Sequence, residues 1–171
     1  PLMLHTQPPS PDSLYERSLA LRRKRLPPTH AEVLQSIDGL AGARYRLGRY
    51  EDAENLHKEA LSLRRQQLGN DHPEVAFSLE NLGAVAEKLG KPGEAEAYYR
   101  EALAVKRKLF PTQGPSLIRP MIGLCKLLQA RGACSEAVPL LREALAIRVK
   151  RSATPEQLAD LQKPLAACGV K

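Results

Sequence analysis

Leucine recurs every 42 residues in this chain, and each of these leucines lies in a near-copy of one phrase, ERSLALRR, KEALSLRR, REALAVKR or REALAIRV. A glycine and an alanine follow the same spacing. A fixed period of this size is typical of repeat proteins, in which one small unit is stacked many times. Stacked units present an extended surface with no obvious active-site cleft. The leucines are Leu19, Leu61, Leu103 and Leu145, and the glycines are Gly48, Gly90 and Gly132.

The composition favours helices. Hydrophobic residues make up 43% of the 171 residues, aromatic residues only 4%, and Trp is absent. Leu, Ala, Arg and Glu dominate, and these residues favour helices over strands. The sequence has no apolar run approaching the roughly 18 residues of a membrane span, and its opening lacks the pattern of a secretion signal. We therefore predict a soluble, cytoplasmic protein.

Each period contains two helical segments. In the clearest copy, Val75, Leu79 and Leu82 follow the spacing of one apolar helix face, and Gly90 ends that helix. Asp71 precedes this segment and is the predicted cap. A second segment follows the breaker at 91–93, so the two helices form an antiparallel hairpin.

These residues resemble a known family. Leu79, Leu82-Gly83, Gly90, Tyr99 and Ala102-Leu103 stand in the order found in the tetratricopeptide repeat, a helix-turn-helix unit of about 34 residues. The longer period and the 68–76 linker resemble the 42-residue subtype of kinesin light chains and nephrocystin-like proteins. The resemblance implies an all-α fold, an α-solenoid of antiparallel helix hairpins that forms a right-handed superhelix.

We predict three complete repeats with one helix on either side. The capping-box pattern of Ser13 and Glu16 predicts that the leading helix starts at Ser13 and not earlier. The trailing helix departs from the register of the repeats and is expected to cover the last hairpin. The predicted boundaries are a loose segment 1–12, one solenoid domain 13–167, repeats 29–68, 71–110 and 113–151, and flanking helices 13–26 and 155–167.

Cysteine and histidine suggest no chemistry. Cys125, Cys134 and Cys168 form no CxxC pair, so the sequence predicts neither a zinc site nor a disulfide framework, and it favours a reducing compartment. Cys125 follows a repeat leucine and is expected to be a packing residue. We predict no catalytic residue, cofactor, metal or small-molecule substrate. Of the histidines, His30 and His72 fall in linkers, His57 is expected on a solvated helix face, and His5 lies in the N-terminal segment.

Positive charge collects at the ends of the second helices. The chain has 26 Lys and Arg against 19 Asp and Glu, a net charge of +7. Stacking would align these cations as a basic ridge. Such a ridge offsets helix dipoles and keeps a solenoid soluble, or it contacts an acidic partner. Nucleic acid is disfavoured because no aromatic stacking motif accompanies the charge. The ridge contains Arg22, Arg23, Arg64, Arg65, Lys106, Arg107, Lys108 and Arg148.

The resemblance also implies where a ligand lies, because first helices of the family line a concave groove that binds peptides. Asn81 matches an asparagine of the kinesin light chain pattern, whereas Gly39 and Gly123 replace it in the neighbouring copies. The candidate groove residues are Gln35, Asp38, Tyr45, Arg46, Phe77, Glu80, Asn81, Ala84, Lys88, Arg119, Ile122 and Lys126.

The sequence thus predicts a non-catalytic adaptor or scaffold that binds a peptide of a partner protein in the groove, with an acidic peptide as one option. Two alternatives remain open. The chain could be a structural or autoregulatory array of a larger multidomain protein, or one that self-associates. It could also bind acidic polymers through the basic ridge.

Overall fold

A computed structural model describes residues 10–110 and 114–169, and all regular secondary structure in those ranges is helical. The prediction of an all-α chain, with three helix hairpins between a leading and a trailing helix, is confirmed. The predicted third-repeat start at residue 113, His5 and most of the segment 1–12 lie outside the described residues. The helices are α1 (Pro11–Arg25), α2 (Ala31–Arg46), α3 (Tyr50–Leu68), α4 (Pro73–Lys88), α5 (Pro92–Leu109), α6 (Ile118–Ala130), α7 (Cys134–Lys150) and α8 (Pro155–Ala167), with one 3-10 turn at Pro115–Leu117.

Histidine caps two of the first helices. The His30 ring Nδ1 accepts a hydrogen bond from the Glu32 backbone N–H at 3.3 Å, and His72 does the same for Glu74 at 3.1 Å. Each bond satisfies one of the amide donors that a helix start leaves open. The prediction that Asp71 caps α4 is therefore wrong, because the residue after it has the capping conformation and the side-chain bond.

The leading helix starts earlier than predicted. Ser10 is its N-cap residue and Pro11 its first helical residue, and the Ser13 N–H already donates to the Ser10 carbonyl at 3.0 Å. Proline suits a first helical position because its missing N–H would be unpaired there anyway. The predicted start at Ser13 is wrong, since the Glu16 carboxylate that should close the capping box instead pairs with Arg44.

The chain folds into two compact units, residues 1–63 and 64–171. In the first unit, α1 packs against α2, and residues of α3 complete a small apolar core. Its buried side chains are Leu19, Val33, Leu34, Ile37, Leu40 and Ala60.

The second unit has a larger core between α5, α6, α7 and α8. Leu161 and Leu165 of α8 are part of it, so the trailing helix covers the last hairpin as predicted. Cys125 is buried there, as expected of a packing residue, and its Sγ lies 3.5 Å from the Ala137 carbonyl. Burial raises the pKa of the Cys125 thiol to about 12, so this thiol is inert at neutral pH.

Cys134 and Cys168 form a disulfide, contrary to the sequence prediction. Cys134 begins α7 and Cys168 directly follows α8, and their Cα atoms lie 5.5 Å apart. Local cysteine spacing does not reveal this pair because 34 residues separate its members in the chain. The disulfide joins the trailing helix to the start of the last repeat's second helix.

No helix in the described ranges is both long and apolar enough to cross a membrane.

Candidate peptide-binding surface

The predicted groove residues of the second unit, all except Glu80, lie in two stripes, on α4 and on α6. Helical geometry places side chains three, four and seven residues apart on one face. The α4 stripe contains Phe77, Asn81, Ala84 and Lys88, and the α6 stripe contains Arg119, Ile122 and Lys126. We call these seven residues the α4–α6 surface. All of them are at least partly exposed.

Phe77 is a large exposed aromatic residue that is supported from its own unit. The Arg64 guanidinium lies 5.8 Å from the centre of its ring, a cation–π contact. Arg64 is itself buried, donates to the Ser78 hydroxyl at 2.7 Å and pairs with Glu74 at 3.1 Å. One flank of the ring is therefore covered by a fixed cation.

Hydrogen bonds link the two stripes at Asn81. The Arg119 guanidinium of α6 donates to Asn81 Oδ1 at 2.9 Å and lies 3.6 Å from Glu80. This bond uses the acceptor of the Asn81 amide and leaves its two N–H donors for another group. Asn81 of α4 and Arg119 of α6 thus adjoin each other.

Glu80 does not face the groove as predicted. It is only 2% exposed, and the Lys106 ammonium of α5 pairs with it while also donating to the Ser116 carbonyl at 2.8 Å. A buried carboxylate needs such partners. Glu80 therefore helps to hold α4 against α5. Its position in the sequence of the helix does not distinguish it from an exposed groove residue.

A second link between α4 and α6 involves Glu87. Its carboxylate accepts from Lys126 at 2.6 Å and from the Tyr99 hydroxyl at 2.7 Å. Lys126 is therefore already matched by an acid of its own unit. Lys88 lies at the exposed end of the α4 stripe, and no carboxylate within the described ranges pairs with it.

The predicted groove residues of the first unit lie on α2, on which Gln35 and Arg46 are exposed and Asp38 and Tyr45 are half-buried. The Tyr45 ring packs edge-on against Tyr50, with centroids 5.4 Å apart. These four residues and the α4–α6 surface belong to different units, and each set is described within its own unit.

His57 is buried and not solvated as predicted. Its ring Nδ1 lies 3.7 Å from Asp38 Oδ1, and the two groups form an ion pair only when the histidine is protonated. The period places His57 where Tyr15 and Tyr99 stand in other copies, and that correspondence is the sign in the sequence of its inward position.

At the two glycines that replace the expected asparagine, a tyrosine ring occupies the space that a side chain would need. A Cβ at Gly39 would lie 2.6 Å from the Tyr15 ring, and one at Gly123 would lie 2.5 Å from the Tyr99 ring. Real Cβ contacts of this length do not occur, so no asparagine fits at either position without moving the tyrosine. Glycine replaces asparagine at these two positions because the tyrosine rings pack against the helix backbone there.

Several ridge cations are paired with acids. Three arginines, each one period apart, meet three glutamates that also lie one period apart, for example Arg107 and Glu143 at 2.6 Å. Lys108 pairs with Asp71 at 3.0 Å. Much of the charge of the ridge is therefore matched within each unit. The arginine pairs are Arg23 with Glu59, Arg65 with Glu101 and Arg107 with Glu143.

Four other ridge cations, again one period apart, hold the helix that follows them. Two of them donate to a serine hydroxyl and three to a backbone carbonyl, because Arg22 donates both to Ser36 and to the Glu32 carbonyl. The contacts are Arg22 to Ser36, Arg64 to Ser78, Lys106 to the Ser116 carbonyl and Arg148 to the Gln157 carbonyl.

Arg44 is a buried residue that the repeat pattern does not reveal. It stands one period before Ala86, an apolar core position, and pairs with Asp12 at 3.4 Å and Asp52 at 3.0 Å. The pKa of Asp12 is lowered by a hydrogen bond from the Ser10 side chain and by Arg44. The pKa of Asp52 is lowered by Arg49 and also by Arg44.

Within the described ranges, no cluster of His, Cys, Asp and Glu could hold a metal ion.

Sequence comparison points to the same repeat. A family profile described as tetratricopeptide repeat matches residues 12–66 and 34–108, which together cover more than half of the chain. A second profile with that description matches residues 126–151. No curated protein matches the chain significantly.

Solved structures that resemble the chain are kinesin light chain-like repeat proteins. One contains nearly identical TPR-like repeats attributed to a kinesin light chain of Podosopora anserina, with a TM-score of 0.77 and 28% identity over 92% of this chain and 77% of that chain. Another is BtubC (BKLC) from P. vanneervenii, with a TM-score of 0.79 and 26% identity over 92% of this chain and 65% of that chain.

Proposed function

This chain belongs to the tetratricopeptide repeat family, and we propose that it binds a peptide segment of a partner protein on the α4–α6 surface. Members of the family are generally protein–protein interaction modules. Binding is capture without chemistry, as in an adaptor or scaffold. The observation that carries the proposal is the side-by-side placement of Phe77, Asn81 and Arg119 on two adjacent first helices. Together they offer an apolar anchor, amide donors and a cation.

Phe77 is the principal anchor. Binding energy in protein interfaces concentrates on a few aromatic and arginine side chains. A ring that its own chain already holds in place loses little conformational freedom when a partner covers it. The partner segment therefore carries an apolar side chain that packs on this ring, next to the Arg64 guanidinium.

Asn81 and Lys88 define the rest of the segment. The free N–H donors of the Asn81 amide suit a backbone carbonyl of an extended peptide, and Ala84 is small enough to let that backbone approach. Lys88 and the exposed side of Arg119 favour a carboxylate on the partner. We therefore expect a peptide that combines an apolar residue with acidic ones.

The proposal is tested with peptides selected for binding to the wild-type chain from a displayed random library. Affinities of the selected peptides are then measured for Phe77→Ser and for the double variant Asn81→Ala with Lys88→Glu. Each variant is expected to weaken binding by about tenfold or more, since loss of an anchor contact costs about 1.4 kcal/mol or more. Unchanged affinities, with the helical circular dichroism signal intact, would refute the proposal.

The control variant is Arg107→Gln with Lys108→Gln on the basic ridge. It should leave peptide affinity unchanged, and it also tests the acidic-polymer alternative. Because Arg107 and Lys108 already pair with Glu143 and Asp71, these two cations have little unmatched charge to offer a polymer. If peptide affinity decreased with this variant and not with Phe77→Ser, the basic ridge would be favoured as the binding site.

A cytoplasmic location is part of the proposal, and it has a consequence for the disulfide. A reducing compartment would keep Cys134 and Cys168 as thiols. Rapid alkylation of thiols in intact cells distinguishes the two settings, because a cytoplasmic chain should be labelled at both cysteines.

A further inference from the structure

The buried Glu80 carboxylate is shared by two cations from neighbouring helices. One of its oxygens pairs with the Lys106 ammonium of α5, and the other lies 3.6 Å from the Arg119 guanidinium of α6. A buried acid keeps its charge only where such partners offset the loss of water. Glu80 therefore ties an exposed arginine of the α4–α6 surface to the interior of its unit.

The sequence of the third repeat makes Lys106 available for this contact. One period earlier, Arg64 donates to the Ser78 hydroxyl at 2.7 Å, fourteen residues further along the chain. The residue fourteen positions after Lys106 is Pro120, which has no side-chain acceptor. The lysine instead meets Glu80, so the contact follows from residues particular to this copy.

Arg119 in turn fixes the amide of Asn81. The guanidinium donates to Asn81 Oδ1 at 2.9 Å, and because a guanidinium has no acceptor, the amide atom that faces it is the oxygen. The two N–H donors of the amide are then left for a partner. Arg119 itself keeps further N–H donors on a side chain that is 53% exposed.

The pair of Asn81 and Arg119 selects acceptors over donors. Apart from the remaining lone pair of Asn81 Oδ1, which lies beside the guanidinium charge, every hydrogen-bonding group that the two side chains offer is an N–H. A peptide N–H brought to that lone pair would have its positive end next to a cation, whereas a carbonyl oxygen is attracted to both side chains. The pair is therefore a donor site for oxygen atoms of the partner.

We propose that Arg119, held by Glu80, positions Asn81 as a hydrogen-bond donor only, so that the α4–α6 surface binds backbone carbonyl groups of its partner segment and makes no use of the N–H groups beside them. This inference rests on the function proposed above and specifies the partner. An unrestrained asparagine amide pairs with both the N–H and the carbonyl of an extended chain. The positioned amide also admits segments with proline at that place, because proline has no backbone N–H.

The probes are peptides selected on the wild-type chain from a displayed random library and remade with single changes in the backbone. Replacing a peptide bond by an ester removes the N–H and weakens the carbonyl as an acceptor, whereas N-methylation removes the N–H alone. The bond that faces Asn81 is the one at which the ester weakens binding to the wild-type chain and not to Asn81→Ala.

The two backbone changes should have different effects at that bond. The ester should lower wild-type affinity about three- to tenfold, the cost of one hydrogen bond, and N-methylation should change it by less than about twofold. Arg119→Leu removes the guanidinium and leaves the Asn81 oxygen open to a peptide N–H, so with this variant N-methylation should also lower affinity about threefold or more. A merely structural effect of the substitution would weaken all peptides alike and leave the pattern unchanged.

Glu80→Gln tests the link to the buried carboxylate. A neutral side chain holds Arg119 less firmly, so this variant should show the same sensitivity to N-methylation as Arg119→Leu. The NMR signals of the Asn81 side-chain NH2 group give a readout in the free chain, and both variants should shift them. Arg119→Leu keeps the pair of Glu80 and Lys106 intact, so it decides the question even if Glu80→Gln does not fold.

Arg131→Gln is the matched control. Arg131 directly follows α6, its side chain is 51% exposed, and it pairs with Glu96 of α5 at 3.3 Å. The control should leave the Asn81 signals and the effects of N-methylation as they are in the wild-type chain.

The outcomes separate this inference from the function on which it rests. Peptides whose affinity is unchanged by both Phe77→Ser and Asn81→Ala would overturn the proposed function and the inference together. Peptides that depend on Phe77 but not on Asn81, or that lose as much affinity on N-methylation with the wild-type chain as with Arg119→Leu, would leave the proposed function intact and overturn the inference. Asn81 signals that are the same in Arg119→Leu as in the wild-type chain would overturn the inference as well.

Discussion

At the residue scale, Tyr99 shows how one side chain fixes the approach of two helices. Its ring lies against Gly83 of α4 and Gly123 of α6, and its hydroxyl donates to Glu87 at 2.7 Å. A methyl group at Gly123 would meet the ring at 2.5 Å. We expect Gly123→Ala to lower the free energy of unfolding by about 1–3 kcal/mol, the usual cost of overpacking, as measured by urea denaturation.

Gly93→Ala is the matched control, because a Cβ at Gly93 meets no atom within 4 Å. It should be neutral or stabilising by about 0.5–1 kcal/mol, since alanine favours the helix over glycine. The double variant Gly123→Ala with Tyr99→Leu should lose less free energy of unfolding than the sum of the losses of the two single variants. The reason is that Gly123→Ala creates a clash with the Tyr99 ring, and Tyr99→Leu relieves it. Strict additivity of the two changes would contradict the packing explanation.

Individual contacts are the part of the site that is least predictable from the sequence. The 42-residue period identifies Cys125 as a packing residue and places Asn81 on the partly exposed side of a first helix. It does not show that Glu80 is buried or that His57 meets Asp38, because Lys106 and Asp38 are brought to these residues only by packing between helices. Charge and spacing along one helix do not contain that information.

At the element scale, the trailing helix α8 is attached by both packing and a covalent bond. Leu161 and Leu165 enter the core, Gln129 donates to the Pro164 carbonyl at 2.7 Å, and the disulfide ties Cys168 to Cys134. Reduction, or Cys168→Ser, should destabilise α8 by about 2–4 kcal/mol, since the bond closes a 34-residue loop. Hydrogen exchange measured by mass spectrometry should show faster exchange in α8.

The control is the same exchange measurement on α4, whose protection should not depend on reductant. Alkylation of the unfolded chain without reductant should label one cysteine, Cys125, and all three after reduction. Equal exchange of α8 in the oxidised and reduced chains would mean that packing alone holds it.

Most elements are predictable because each has a local signal. The 3- and 4-residue apolar spacing marks the helices, and glycine marks the ends of the first helices, where Gly90 and Gly132 have φ of 68° and 77°. The start of α1 is harder to predict because two serines offer competing caps. The link between α7 and α8 has no local signal, since it depends on where two helix ends meet in space.

At the scale of the whole molecule, charge balance depends on paired acids. The chain has a net charge of +7, yet many cations at the ends of its second helices meet carboxylates of other helices or linkers. Protonating the 19 acids would leave 26 Lys and Arg cations unopposed. Self-repulsion of such a chain destabilises the compact state.

The pKa values of Asp12, Asp52 and Glu136 set the direction of this effect. Each is lowered in the folded chain, Glu136 chiefly by a hydrogen bond from Arg100, so each group binds its proton more readily when unfolded. Their stabilising contribution is therefore complete at neutral pH and is lost as the pH falls from about 5 through the lowered pKa values. We expect the unfolding temperature to be constant near neutrality and to fall steeply below about pH 4.

Circular dichroism melts from about pH 7 to about pH 2 test this expectation at low and moderate sodium chloride. Added salt screens the repulsion among unopposed cations, so the acid transition should move to lower pH. Asp52→Asn should flatten the dependence for the first unit because it removes the partner of Arg44 and Arg49. Asp160→Asn, at an exposed position of α8, should not. If the chain became more stable below about pH 4, its ionised carboxylates would be destabilised by their surroundings in the folded chain. The ion pairs would then have no stabilising role.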